Sequence, residues 1–407
     1  MKYFKKTYEE SRADFLDRIN EIKEVIPEAE SSSYIMPPKN IDGMYSDSVF
    51  VPGNDPDTLI IMTSGIHGIE GYTGSAVQNM IIDNFILSKA TSNKTYLKTK
   101  KKRRRKASNK LNLKVNKLRL LPYSILFVHS INPYGHKYYR RVNEKNVDLN
   151  RNFLISVRDF AVDKRDKNKA YAEMVNFLNP TEAYEYKRFE KINFFFKALN
   201  IIRKKSLKTF KQAILEGQYQ FPSGIFYGGD MYQPQTQMVI DLVEKYAENY
   251  KRIILIDIHT GYGIKGKLHL IGMENYPDPE IFNGLQKLYP LQKIEQAGFK
   301  NGNFYKITGS MFEFFYHHLS KQGKTILPIA WEFGTNNNIK TYKSIDSLRA
   351  IVAENQANKY GAVNQKSYDK IHDDFKELFY PDDTEWQNKV LQTAFETYKQ
   401  VLKNLKH

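Results

Sequence analysis

The stretch Thr58-Leu-Ile-Ile-Met-Thr-Ser-Gly-Ile-His-Gly-Ile-Glu-Gly-Tyr72 decides how the rest of the chain is read. Residues 59 to 62 are a short apolar run, Ser64-Gly65 and Gly68 are turn formers, and from Ala76 to Ile82 apolar residues return at helical spacing. The pattern predicts a strand, a tight loop and a helix over residues 70–87. Glycine lets such a loop bend sharply with no Cβ to clash. The His67 imidazole and the Glu70 carboxylate can therefore turn toward one cation. Nitrogen and oxygen donors at that reach suit zinc, which in catalytic sites takes three protein ligands and keeps one position for water. The same four residues also fit a surface histidine followed by a glutamate in a first helical turn, where a carboxylate complements the helix dipole. The other strands decide between the two.

Further apolar runs cover Tyr123 to His129, Arg252 to His259 and Leu327 to Phe333. Helical patterns lie at residues 8–27, with Phe15, Ile19, Ile22 and Ile26 on one face, and across 170–216, 235–248 and 309–321, and the tail from 341 to 407 is helical in pattern. Buried-type strands alternating with helices imply an α/β fold with a mixed, mainly parallel central sheet covered by helices on both faces. The expected organisation is an N-terminal helical extension at 1–40, a catalytic domain at 41–340 and a C-terminal helical segment at 341–407 packed on that same domain. Such sheets bind ligands at the carboxyl ends of their strands.

Three strands finish in a chemically able residue beside glycine: Gly65-Ile-His67, Ile258-His259 and Trp331-Glu332. His67, Glu70, His259 and Glu332 are thus expected along one sheet edge. Two histidines and one glutamate make a three-ligand zinc site, which leaves one carboxylate as general base for water. Asp257, two residues before His259 on an alternating strand, shares its side and either orients that imidazole or pairs with a lysine. His129 reads as a hydrogen-bonded core histidine, and His317-His318 as a surface or packing pair.

Charge is unevenly spread. Fourteen of the 62 Lys and Arg and none of the 45 acids fall in residues 88–120, so the rest of the chain has 48 basic residues against 45 acidic. A run such as Lys101, Lys102, Arg103, Arg104, Arg105, Lys106 reads as an exposed insertion that fits a polyanion-binding patch or a nuclear-import signal, although such a run is more often a solvated loop or a membrane-surface contact. It lacks the interleaved aromatics of a nucleic-acid reader. No run of 18 apolar residues is present, the N-terminus lacks the apolar core of a signal peptide, and there is no cysteine. The expectation is a cytoplasmic protein, with nuclear targeting or export without a signal peptide left open. Any metal site must use His, Asp and Glu.

These residues carry a resemblance. His67-x-x-Glu70, Asn132-Pro-Tyr-Gly135, Arg141-x-Asn-x-x-x-Val-Asp-Leu-Asn150-Arg151-Asn-Phe, Asp257-Ile-His259 and Glu332-Phe-Gly occur in the order of the zinc carboxypeptidase superfamily, from about residue 45 to 335. That superfamily includes carboxypeptidase A-like peptidases and aspartoacylase- and desuccinylase-like deacylases, and the chain most resembles a bacterial branch of unassigned substrate. The resemblance implies one zinc per chain held by His67, Glu70 and His259, with Glu332 as general base and proton shuttle. It implies Arg141 at the scissile carbonyl, with Arg140 able to exchange roles with it, and Asn150 and Arg151 gripping a substrate carboxylate. Tyr262 and Tyr342 are the candidates for a substrate-capping tyrosine. The implied activity is cleavage of an amide next to a carboxylate, by a carboxypeptidase or by an N-acyl amino acid deacylase. Binding of nucleic acid or another polyanion through residues 88–120 is the non-enzymatic alternative. An inactive scaffold is disfavoured, because no motif position holds an inert residue.

Overall fold

In the four long strands the side chains pointing to either face are apolar, so the sheet they build needs cover on both sides. The computed structural model describes residues 2–38, 43–88, 121–160, 168–273, 278–296, 299–300, 303–304, 307–336 and 341–406. Residues 89–120, nearly all of the expected basic insertion and including Lys101 to Lys106, lie outside the described residues.

The strands are β1 (Glu30–Ile35), β2 (Tyr45–Val51), β3 (Thr58–Ser64), β4 (Ser124–His129), β5 (Arg252–Thr260), β6 (Leu268–Gly272), β7 (Ile294–Gln296), β8 (Phe299–Lys300), β9 (Asn303–Phe304) and β10 (Thr325–Phe333). Eight of them form one sheet in the order β1-β2-β4-β3-β5-β10-β6-β7, and β8 pairs with β9 apart from it. Its middle, β4-β3-β5-β10, is parallel throughout. β1 and β2 at one edge, and β6 on β10, are antiparallel additions.

The longer helices are α1 (Tyr8–Val25), α2 (Gly71–Ile81), α3 (Glu190–Lys205), α4 (Leu207–Leu215), α5 (Pro234–Ala247), α6 (Pro279–Leu288), α7 (Met311–Ser320), α8 (Thr341–Tyr360), α9 (Gln365–Phe379) and α10 (Thr384–Asn404). One sheet face, with Ile60, Met62, Ile125, Phe127, Ile254 and Ile256, is buried under α1, α2, α6, α9 and α10. The other, with Leu59, Ile61, Leu126, Val128, Ile253 and Leu255, is buried under α5 and α7. Consecutive residues thus feed opposite cores, which is why these strands read as unbroken apolar runs. The tail helices α9 and α10 share the larger core with the sheet. A third, smaller core joins α3, α4 and α8 with Tyr171, Met174 and Leu178.

One element departs from expectation. Residues 30–35, placed by pattern in an N-terminal helical extension, form the sheet's edge strand. The segment Glu-Ser-Ser-Ser-Tyr-Ile has no apolar alternation to announce a strand, and its backbone pairing with β2 supplies the order instead. Among the described residues, no helix is long and apolar enough to cross a membrane.

Candidate active site

Three of the parallel strands deliver the site. In the β3–β5 register Thr63 faces Asp257, and in the β5–β10 register His259 faces Glu332, so the chain leaves β3 and β5 at one sheet edge beside Glu332. Past β3 the backbone takes a left-handed turn at Gly65, φ +67°, where a Cβ would lie 2.1 Å from Ser130 Oγ. A Cβ on Gly68 would lie 2.2 Å from the backbone of Gly135. That close approach lets Gly68 N–H and Ile69 N–H donate to the carbonyls of Arg141 (3.1 Å) and Arg140 (2.9 Å). The seam places Arg141 beside His67. Asn132 supports it from behind, its side chain accepting from Gly135 N–H at 2.9 Å.

Glu70 divides its carboxylate between the two imidazoles. His67 Nδ1 lies 3.0 Å from Oε1, and His259 Nδ1 lies 2.9 Å from Oε2. Donor atoms of these three buried residues all lie within 4.8 Å of one another, and no other such group of His, Asp and Glu occurs among the described residues. Each imidazole also has a carboxylate at its other nitrogen. His259 Nε2 is 2.6 Å from Asp257 Oδ2, whose Oδ1 accepts from Thr63 Oγ1 at 2.6 Å. His67 Nε2 is 3.4 Å from Asp148 Oδ1 and 2.6 Å from Arg141 Nη2. Arg141 Nε in turn donates to Asp148 Oδ2 at 3.0 Å.

This density of charge in a buried place shifts the acids apart. Burial alone would raise Glu70, but the His67 and His259 imidazoles overcome it and hold the carboxyl down at about 2. Burial likewise opposes ionisation of Asp148, and Arg141 and His67 hold it well below the usual carboxylate range. Glu332 has no cation as close: burial first, then the charge of Glu70, pushes it up to about 8. Its Oε1 accepts from Tyr262 N–H at 2.8 Å. Two neighbouring carboxyl groups are thus pushed in opposite directions, Glu70 toward the charged form and Glu332 toward holding a proton, the pattern that separates a fixed charge from a mobile proton.

The remaining predicted residues are distributed as follows. Arg140 is buried, donating to Glu354 Oε1 (2.8 Å) and Asn146 Oδ1 (3.3 Å), so only Arg141 of the pair reaches the histidines. Asn150 accepts from Met311 N–H at 3.2 Å. Arg151 is buried, donating to the carbonyls of Asn150 (2.8 Å) and Leu215 (3.0 Å), while its Nε has no partner. Tyr262 follows β5 next to Glu332, whereas Tyr342 starts α8 with its ring edge-on to Phe195. His129 is in the core, stacked on Phe15 at 4.7 Å, but both its ring nitrogens lack a hydrogen-bond partner, contrary to the expected pairing. His318 stacks on Phe314 and lies 2.7 Å from Glu244.

Two groups escaped the sequence reading. Asp148, inside the quoted Val-Asp-Leu-Asn-Arg string, joins Arg141 to His67. His269, facing Glu332 across the β6–β10 ladder, lies 2.8 Å from Glu295, which is itself 3.4 Å from the Tyr262 hydroxyl. The residue spacing of Asp148 to Arg141 is a usable signal; nothing in the spacing of His269 and Glu295 announces their pairing.

Several solved structures are similar to this chain. Bovine thrombin-activatable fibrinolysis inhibitor, in complex with tick carboxypeptidase inhibitor, is 13% identical with a TM-score of 0.41, over 87% of this chain and 95% of that one. Carboxypeptidase A from Helicoverpa armigera is 10% identical with a TM-score of 0.41, over 88% of this chain and 71% of that one. A metallo-carboxypeptidase from Burkholderia cenocepacia is 10% identical with a TM-score of 0.38, over 94% of this chain and 68% of that one. No curated protein matches. A family described as "Protein of unknown function (DUF2817)" matches residues 4–97 and 108–393, and the chain belongs to that family.

Proposed function

We propose that the chain is a zinc-dependent hydrolase that cleaves an amide bond next to a carboxylate, as a carboxypeptidase does, with Glu332 as general base. The observation that carries the reading is the convergence of His67, Glu70 and His259 donor atoms within 4.8 Å, buried, one strand away from Glu332. The donor set fits zinc in number and kind, and a carboxylate behind each imidazole is the arrangement that orients metal-binding histidines. Zinc held there supplies a Lewis acid and makes water acidic enough to attack near neutral pH.

The chain's own residues account for the rest. Glu332 accepts a proton from water and passes it to the leaving amine nitrogen, which suits a carboxyl pushed up to about 8. Arg141, fixed by Asp148, is a preorganised cation for the oxyanion of the attacked carbonyl. If His67 held a cation through Nδ1, its remaining proton would sit on Nε2, toward Asp148, and that nitrogen would no longer be an acceptor for Arg141. Arg141 would then keep its Nε on Asp148 and have Nη2 to offer to the substrate oxyanion. Arg151 supports the carboxylate requirement: its buried guanidinium bonds two neutral carbonyls and keeps an unpartnered Nε, a donor that a substrate carboxylate would satisfy.

The test is metal content and turnover together. Glu332→Gln is expected to retain zinc and lose about 10²–10⁴-fold in turnover, whereas His259→Ala loses zinc. Undiminished activity in Glu332→Gln removes that residue from the mechanism. The substrates are N-blocked dipeptides with free or amidated C-termini, alongside N-acyl amino acids. Cleavage confined to free carboxylates supports the anchor, preference within the panel separates peptidase from deacylase, and equal cleavage of amidated peptides rejects the anchor.

A further inference from the structure

Among the described helices, α3 carries the most large apolar side chains exposed to solvent. Its inner side packs on the small core through buried Ala198 and partly buried Phe194, Phe195, Ile201 and Ile202. A helix so placed ordinarily turns polar residues outward. Here the outer side carries Phe189, just before the helix, and Ile192, Phe196 and Leu199, exposed by 59%, 49%, 63% and 37%. Their spacing of three, four and three residues puts them in one stripe along the helix. Leu207, which opens α4, and Tyr342, whose ring meets Phe195, are each 44% exposed as well.

Basic side chains flank this apolar stripe in the sequence. Residues 187–211 hold nine Lys or Arg and a single acid, Glu190. Lys187, Lys191 and Lys205 have carboxylate partners in Glu185, Asp346 and Glu173, and Glu190 pairs with buried Arg349. Arg188, Lys197, Arg203, Lys204 and Lys208 on the same segment are exposed. Large exposed apolar side chains on one helix, accompanied by exposed cations, match the boundary between acyl chains and anionic headgroups. A nucleic acid would use the cations and stack on the aromatics, but it has no use for Ile192 and Leu199. A protein-binding patch is depleted of charge, lysine above all, at its centre and is not accompanied by charge of so nearly one sign.

We propose that α3, with the start of α4, is a docking surface for anionic lipid bilayers. The helix lies in the headgroup plane with Phe189, Ile192, Phe196 and Leu199 inserted, and the basic residues meet lipid phosphates. The surface shares no residue with the proposed zinc site, so the two readings stand or fall separately.

The full chain contains two tryptophans, Trp331 and Trp386, both buried, so Phe196→Trp adds a reporter at the centre of the stripe. With phosphatidylcholine–phosphatidylglycerol vesicles, its emission is expected to move to shorter wavelength and to be quenched by brominated acyl chains; with phosphatidylcholine alone neither occurs. Replacing both Ile192 and Phe196 by Asp is expected to weaken vesicle partitioning by at least about tenfold, at unchanged melting temperature and zinc content. The proposal is overturned if the Phe196→Trp chain floats with anionic vesicles while its added fluorescence stays that of a water-exposed indole, since binding then runs through another basic segment. Absence of flotation overturns it as well. So does a double variant that keeps vesicle affinity but loses affinity for single-stranded RNA, which would make the stripe a nucleic-acid face.

Discussion

Asp148 sits where two requirements meet, accepting from Arg141 and facing His67 Nε2 while fully buried. Neutralising it leaves a buried guanidinium without its counter-charge and an imidazole without its orienting acceptor. Asp148→Asn is expected to weaken zinc affinity by about 10- to 100-fold, measured by competition with a chromophoric chelator; unchanged affinity would reduce Asp148 to a loop former. Glu332 makes a prediction about stability. Its folded-state value of about 8 lies above the ordinary carboxyl value of 4.5. The folded chain therefore holds this proton more tightly than the unfolded chain, and the associated stability, present below pH 4.5, is lost as pH climbs through about 8. Glu332→Gln removes that dependence. In chelator-treated protein the variant should gain on the parent between pH 5 and 9, reaching on the order of 1 kcal/mol or more in urea unfolding. Parallel pH profiles of the two proteins would show that Glu332 titrates normally.

At the scale of elements, the turn from β3 into α2 carries the site, because its backbone touches the 132–141 segment where a side chain would have to be. Gly68→Ala puts a methyl group 2.2 Å from the Gly135 backbone, which cannot rotate away as a side chain would. The expected cost is about 1–3 kcal/mol in denaturant unfolding, with loss of zinc as Arg141 and His67 separate. A Gly68→Ala chain with native stability and full zinc would mean that the seam is looser than its hydrogen bonds imply. Legibility differs among elements for related reasons. β3, β5 and β10 announce themselves because they are apolar on both faces. β1 is an edge strand ordered by backbone pairing, and backbone hydrogen bonds leave no mark on side-chain choice.

For the whole molecule, the cation site is a clasp between distant parts of the chain: His259 and Glu70 are 189 residues apart in sequence and 2.9 Å apart in space. A ligand that binds only the folded chain stabilises it by mass action, about 2.7 kcal/mol when present at about 100 times its Kd. Calorimetry is expected to show a lower melting temperature after chelation and full recovery with zinc. Equal melting with and without zinc would exclude a bound ion that joins the two elements.

The sequence by itself determined the class of fold and the identity of the candidate ligands, because strand alternation and strand-end position are local properties. An apolar run ending in His67, His259 or Glu332 can be read without knowing its neighbours. Only the tertiary structure decided which of two adjacent arginines reaches the histidines, that Asp148 links them, and that His129 lies in the core without a hydrogen-bond partner. Those outcomes depend on which loop backbone touches which, and Arg140 and Arg141 differ only in the side of the seam to which each side chain turns. The exposed stripe of α3 belongs to the same class. Phe189, Ile192, Phe196 and Leu199 have the composition of a core face, and only the packing of Phe194, Ala198 and Ile201 on the opposite side shows that they remain outside.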